Sequence, residues 1–211
     1  MLPSKKVIKI IVTIIAVIVL VYLFFNGKAV YHLAEYSLNS NKVKNQELLS
    51  LLDDEEQFSA EEFSEELQQE ISDNSLNYPN LGIVAPIAWG ISVEESSSKM
   101  NYSLVQIRES SRSGEGGAVL ISGHSSYYWW QQGDYKEVFA NLGKAKAGDK
   151  IVVRNDKTYI YQVVNKYEID KNKPLEIAGK DEPEVLLLMT CTPLGTDLSR
   201  LIVEASLISK Y

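Results

Sequence analysis

The run VIKIIVTIIAVIVLVYLFF, residues 7–25, limits this chain more than any other feature. After Lys9 at its edge it is interrupted only by Thr13. Lipid offers no partner for backbone N–H and C=O groups, so such a segment is stable there only as a helix, and about 20 apolar residues cross a bilayer. Lys5, Lys6 and Lys9 precede or open the run, whereas Lys28 alone follows it closely. This asymmetry predicts residues 1–6 in the cytoplasm, one transmembrane helix over 7–25 with Tyr22 near the far interface, and an extracellular body in the cell membrane. A cleaved signal peptide is the rival reading, because Gly27-Lys28-Ala29 faintly resembles a small-residue cleavage site. The apolar run is longer than a typical signal core, which favours the anchor.

The remainder has material for one domain. The 211 residues are 45% hydrophobic and 23% charged, enough to bury one sizeable core. Residues 26–78 read as a stalk. Between Gln46 and Glu70 the chain carries ten acidic residues and no basic one, with Leu48, Leu49, Leu52, Phe58, Phe63, Leu67 and Ile71 loosely at helical spacing. That pattern predicts a solvated, partly helical linker. A net charge of −7 without a basic stripe argues against nucleic acid as a partner. A single cysteine excludes an internal disulfide and a Cys-rich metal site. The other acidic residues are scattered without ligand-like spacing, so no metal is expected.

From residue 79 to 211 the sequence becomes β-rich. Segments 81–87, 102–107, 117–123, 150–155, 158–169, 184–190 and 200–208 are rich in Val, Ile, Leu and Tyr, with turn residues between them. DYKEVFANLG, 134–143, reads as a short helix. Seven or eight short strands with almost no helix predict an all-β domain, a closed barrel or a sandwich.

The only cysteine, Cys191, ends the apolar run VLLLMT, and Arg200 opens the next strand. If 184–190 and 200–208 form an antiparallel hairpin, the two residues face each other with Cβ atoms ~5 Å apart. A free thiol is mostly protonated at neutral pH, so a cysteine nucleophile usually works beside an imidazole or a cation. Of the two histidines, His32 follows the apolar run too closely to meet a barrel strand. His124 ends the strand GAVLISG and is the only sensible imidazole. Each residue alone also has a plain structural explanation, the thiol as a small buried hydrophobe and the others as strand-end polar groups. Their conjunction in an exported β domain points to chemistry.

These segments resemble sortases. LLLMTCTPLGTDLSRLIV is similar to the family's active-site signature, in which a Thr-Cys pair ends one strand and an Arg begins the next. VLISGHSS resembles its histidine segment and NLGIVAPI its opening strand. The resemblance, over roughly 79–208, implies an eight-stranded β-barrel and a cysteine transpeptidase. It implies cleavage of a C-terminal LPxTG-like sorting signal on a surface protein, a thioester intermediate, and transfer to an amine of the cell wall or of a pilin lysine. It implies Cys191 as nucleophile, His124 as general acid and base, Arg200 as oxyanion and substrate holder, and no cofactor. Thr190, Thr192, Ser122 and Trp129 are candidates for substrate contact. The chain has no Asp-Pro dipeptide and no second apolar span after residue 208, so a class D or E-like enzyme is expected rather than class C. A hydrolytic cysteine peptidase and a non-enzymatic, membrane-tethered β domain binding a surface polymer remain alternatives.

Overall fold

The computed structural model describes residues 5–38, 46–53, 71–128 and 130–211. Most of the acidic stretch, residues 54–70, and the candidate Trp129 lie outside them, and of the His32 side chain nothing is described. Eight strands close into a barrel: β1 (Ser75–Tyr78), β2 (Ile83–Ile91), β3 (Leu104–Ile107), β4 (Ala118–Ser122), β5 (Lys150–Arg154), β6 (Thr158–Asp170), β7 (Val185–Thr192) and β8 (Ser199–Lys210). Around the barrel the order is β1-β2-β3-β4-β7-β8-β6-β5, with β5 returning to β1. The pairs β2–β3 and β4–β7 are parallel and the rest antiparallel. The closed barrel and apolar N-terminal helix agree with the all-β expectation.

Burial on both faces explains why β4 and β7 lack the alternating pattern of a half-solvated strand. Val119, Ile121, Leu186 and Leu188 point into the barrel with Leu76, Tyr78, Phe139 and Tyr161. Ala118, Leu120 and Leu187 point outward, yet they too are buried, under Tyr167, Ile169, Leu175 and Ile177. Each such fully buried Leu or Ile contributes about 1.5–3 kcal/mol.

Among the described residues three α-helices accompany the barrel. Helix α1 (Lys5–Leu38) is unbroken and includes a segment, Lys5–Tyr31, long and apolar enough to cross a membrane. Helix α2 (Gln46–Asp53) lies in the expected stalk, but it is no solvated piece. Leu48, Leu51 and Leu52 join Ile71 in a buried cluster against Val152 and Ile160 on the outer face of β5 and β6. The Lys150 ammonium donates to the Leu52 carbonyl, and Arg154 donates to the Ile71 carbonyl at 2.7 Å while its Nε meets Asp73 at 2.9 Å.

Helix α3 (Val93–Lys99) was not expected from hydrophobic periodicity because none of its residues is buried. Its signal is a capping box: Ser92 Oγ accepts from the Glu95 N–H at 3.4 Å and donates to the Glu95 carboxylate at 2.9 Å. The helix expected over 134–143 is instead a chain of turns ending in a 3₁₀ turn, Leu142–Lys144. The Phe139 N–H donates to the His124 carbonyl at 2.9 Å, which takes it out of an α-helical ladder, and its neighbours bond three residues back. β1 lies just ahead of residue 79 and is fully buried despite Ser75 and Asn77. Ser75 Oγ donates to the Ser72 carbonyl at 2.6 Å and accepts from Asn77 Nδ2 at 3.1 Å.

Candidate active site

The site is built where β4, β7 and β8 end or begin together. In the antiparallel β7–β8 ladder Cys191 stands directly opposite Arg200. On the other side of β8, Arg200 pairs with Ile169 of β6, so the Arg-bearing strand start is held from both edges. β4 runs parallel to β7 with Ser122 beside Met189. Continuing that register by two residues brings His124 alongside Cys191. The continuation is pinned by the Gly123 N–H donating to the Met189 carbonyl (3.1 Å) and by Thr190 Oγ1 donating to the Gly123 carbonyl (2.8 Å). Gly123 is required there, because a Cβ would lie 2.6 Å from Leu104 and 2.9 Å from Phe139.

His124 is buried, and its ring stacks on Tyr127 with centroids 4.4 Å apart. Its Nε2 lies 3.3 Å from the Ser97 carbonyl in the last turn of α3. A carbonyl only accepts, so this bond requires Nε2–H and leaves Nδ1 as the basic nitrogen of the neutral ring. Burial pushes the imidazole pKa below its usual value, and the Ser97 carbonyl opposes this by favouring the protonated ring. Among the described residues no hydrogen bond joins His124 to Cys191.

Cys191 is half-buried and unpaired by any disulfide. Burial pushes its thiol pKa up; Arg200 and Lys171 pull it down, and Asp197 adds to the rise. Burial thus favours the neutral form of both the thiol and the imidazole. Arg200 Nη1 donates to two carbonyls of its own loop, Asp197 (3.3 Å) and Ser199 (3.2 Å), which orient the guanidinium. Asp197 itself is bound by Lys171 at 3.1 Å. The planar fork thus stands across from the thiol with donor positions suited to a carbonyl oxygen or an oxyanion.

Of the other candidates, Thr190 and Ser122 are buried, and their hydroxyls tie β7 to β4, Ser122 through the Met189 carbonyl at 3.3 Å. Thr192 is half-buried one residue past the thiol. Sequence reasoning missed Tyr127 as the stacking partner of His124, the Ser97 carbonyl, and the Lys171–Asp197 pair beside the thiol. Asp197 sits in the loop already singled out. Ser97 lies 27 residues from His124, on a helix with no apolar face to announce it.

The sortase domain model matches residues 76–208. No curated protein matches the chain by sequence. Among solved structures, sortase C1 from Streptococcus agalactiae superposes with a TM-score of 0.53 at 24% identity, over 64% of this chain and 67% of that one. Sortase C1 from Streptococcus suis gives 0.55 at 20% identity, over 70% and 79%. The sortase D5 transpeptidase of Clostridium perfringens gives 0.52 at 22% identity, over 72% and 90%. At these identities the structural likenesses establish the fold. The domain match, which spans well over half of the sequence and includes His124, Cys191 and Arg200, establishes the family: this chain belongs to the sortases, a family of cysteine transpeptidases.

Proposed function

We propose that the protein is a membrane-anchored sortase, held by residues 7–25 with its catalytic domain, which begins with β1 at residue 75 rather than at 79, outside the cell. In this reading it cleaves a C-terminal LPxTG-like sorting signal and transfers the protein to an amine of the cell wall or of a pilin. The observation that carries this reading is the opposition of Cys191 and Arg200 across β7 and β8, with His124 on the adjoining strand end. The Cys191 thiol gives its proton to His124 Nδ1 as sulfur attacks the scissile carbonyl carbon. The carbonyl oxygen becomes an oxyanion held by the Arg200 fork. Collapse breaks the C–N bond, His124 returns the proton to the departing amine, and the acyl group remains on sulfur as a thioester. The incoming amine attacks that thioester and loses its proton to His124, which passes it to the expelled Cys191 sulfur and so restores the thiol. The thioester retains the driving force of the cleaved peptide bond, so no nucleotide enters the scheme. On motif grounds we place the enzyme with the class D or E-like anchoring sortases.

The test is intact-mass spectrometry of the full-length protein with a sorting-signal peptide, with and without hydroxylamine. Expected are an acyl adduct mapped to Cys191 and a peptide hydroxamate when hydroxylamine is present. Free acid as the sole product at saturating amine would make the protein a hydrolytic peptidase. No adduct, together with a thiol that resists alkylation in the folded state, would make it a binding domain.

A further inference from the structure

Helix α1 does not stop where its apolar run stops. At 34 residues it is about 51 Å long, and since the run ends at Phe25, about 20 Å of helix projects beyond the span. The barrel touches that helix at the base of the projection. Tyr22 Oη donates to the Leu194 carbonyl at 3.1 Å, and the Phe25 ring meets Trp130 edge-on at 5.9 Å. Asn26 lies against Gly195, where φ is +81° and a Cβ would sit 2.6 Å from Asn26 Oδ1, so glycine is what lets the loop approach the helix. Ala29 is buried, and residues 24–29 wall a cleft of about 130 Å³ with Ser126, Tyr127 and Glu137.

Both contacting loops belong to the catalytic end of the barrel. One follows Cys191. The other follows His124 and contains Tyr127, the ring stacked on the imidazole. Their level relative to the membrane is set by the helix residues they touch, 22–29, where the span meets the headgroups. On the same edge Tyr128 and Trp130 are each 50% exposed and stacked 4.7 Å apart, and Leu198 is 63% exposed. Tyr and Trp are the side chains that settle at headgroup level, with an apolar body and a polar tip. Charge on this edge is of both signs, Glu137 and Asp197 against Lys28 and Lys171.

We propose that the catalytic end of the barrel rests on the outer face of the bilayer, with Tyr128, Trp130 and Leu198 at headgroup level. Cys191 then opens onto peptide chains at the membrane surface. This rests on the reading of residues 7–25 as a membrane anchor. The attraction is aromatic and apolar, so zwitterionic lipid suffices and added salt does not release the edge.

The test uses the full chain in phosphatidylcholine vesicles carrying nitroxide lipids labelled either near the headgroup or deep in the acyl chain. Trp89→Phe with Trp129→Phe leaves Trp130 as the emitter. Trp129→Phe with Trp130→Phe leaves Trp89, at the opposite end of the barrel. Expected is loss of Trp130 emission with the shallow label, less with the deep label, and none for Trp89 with either. Adding Tyr128→Gln and Leu198→Gln to the Trp130 protein should weaken the quenching while the protein stays with the vesicles after an alkaline carbonate wash. Unquenched Trp130 in protein that survives the wash overturns the docking and leaves the anchor standing. Protein that washes off overturns both.

Discussion

The two ends of the barrel are built on opposite terms. At the end away from Cys191 the loop between β3 and β4 is locked to the start of β7. Glu184 accepts from the N–H groups of Gly114 (2.9 Å) and Gly116 (3.1 Å) and from the Tyr161 hydroxyl (2.5 Å). Glycine allows the approach, because a Cβ on Gly116 would lie 2.4 Å from the Lys180 carbonyl. A cleft of about 380 Å³ opens there between Arg108, Arg112 and Lys180, but Lys180 is already held by Glu115 at 2.7 Å and Arg108 by Glu95 at 3.7 Å. At the end with Cys191 the candidate reactive side chains themselves are sparsely paired. Cys191 makes no hydrogen bond among the described residues and His124 has one side-chain bond, at 3.3 Å. The buried Ser125 Oγ and Asn101 Oδ1 have no hydrogen-bond partner among the described residues, and at the other end the same is true of Ser113 Oγ. The roomier cleft marks the end whose charged groups are already paired, and the candidate reactive groups sit where burial favours their neutral forms.

The sharpest way to break this contrast is to remove the nucleophile. Cys191→Ala should abolish acyl-adduct formation and turnover with little change in thermal midpoint, since it exchanges small side chains at a strand end. His124→Ala should lower turnover by ~10²–10⁴-fold, the usual worth of a positioned acid–base group. Residual activity of Cys191→Ala in a peptide-cleavage assay would move the chemistry elsewhere.

Next comes Arg200→Lys. Lysine keeps the charge but not the planar fork, so a rate loss of ~10²–10³-fold is expected with stability nearly unchanged. A solvated strand-end arginine would instead tolerate lysine within ~0.5 kcal/mol of stability and without kinetic effect. Steady-state kinetics beside a thermal melt separates the two.

How much of this contrast was legible in the sequence depends on which physical signal each part carries. β4 and β7 were readable because burial on both faces leaves long apolar runs, β8 through its shorter buried run 201–203, and the opposition of Cys191 and Arg200 followed from treating β7 and β8 as a hairpin. β1 was not readable, since two of its four residues are polar and owe their burial to local hydrogen bonds. Val138, Phe139 and Leu142 imitate helical spacing, but what decides their backbone is the His124 carbonyl, 15 residues earlier and invisible to a local window. The same holds for Ser97 and Tyr127: their roles arise from where a polar helix and a loop are placed around the imidazole.

The pH profile of kcat/KM sharpens the comparison more gently. His124 is shifted down and Cys191 up, both chiefly by burial. Activity should rise as pH passes upward through the lowered imidazole pKa, below 6.5, and fall as it passes through the raised thiol pKa, above 9.0. The result is a broad plateau with limbs of about tenfold per pH unit. The same shape follows whether the reacting pair is written thiol–imidazole or thiolate–imidazolium, because the two forms carry the same number of protons. A narrow bell with the thiol limb near neutrality would show that Arg200 and Lys171, rather than burial, govern Cys191.

The smallest expected effect on catalysis comes from the far end. Glu184→Gln keeps the shape of the side chain but turns one acceptor oxygen into an NH₂ donor. That donor must face either the N–H groups of Gly114 and Gly116, which cannot accept, or the Tyr161 hydroxyl, which would have to reverse its bond. The Gly114 N–H is exposed and can turn to water, but the part-buried Gly116 N–H or the Tyr161 hydroxyl loses its acceptor, at a cost of about 1 kcal/mol. Tyr161 is fully buried, and burial with the neighbouring carboxylate already holds its phenol far above the usual range, so it cannot relieve the misfit by ionising. Denaturant unfolding should therefore show a lower midpoint, while kcat/KM per folded molecule and both pH limbs stay at wild-type values. A shifted Cys191 limb in Glu184→Gln would mean that the two ends are coupled through β7, the strand that begins beside Glu184 and carries the thiol near its other end.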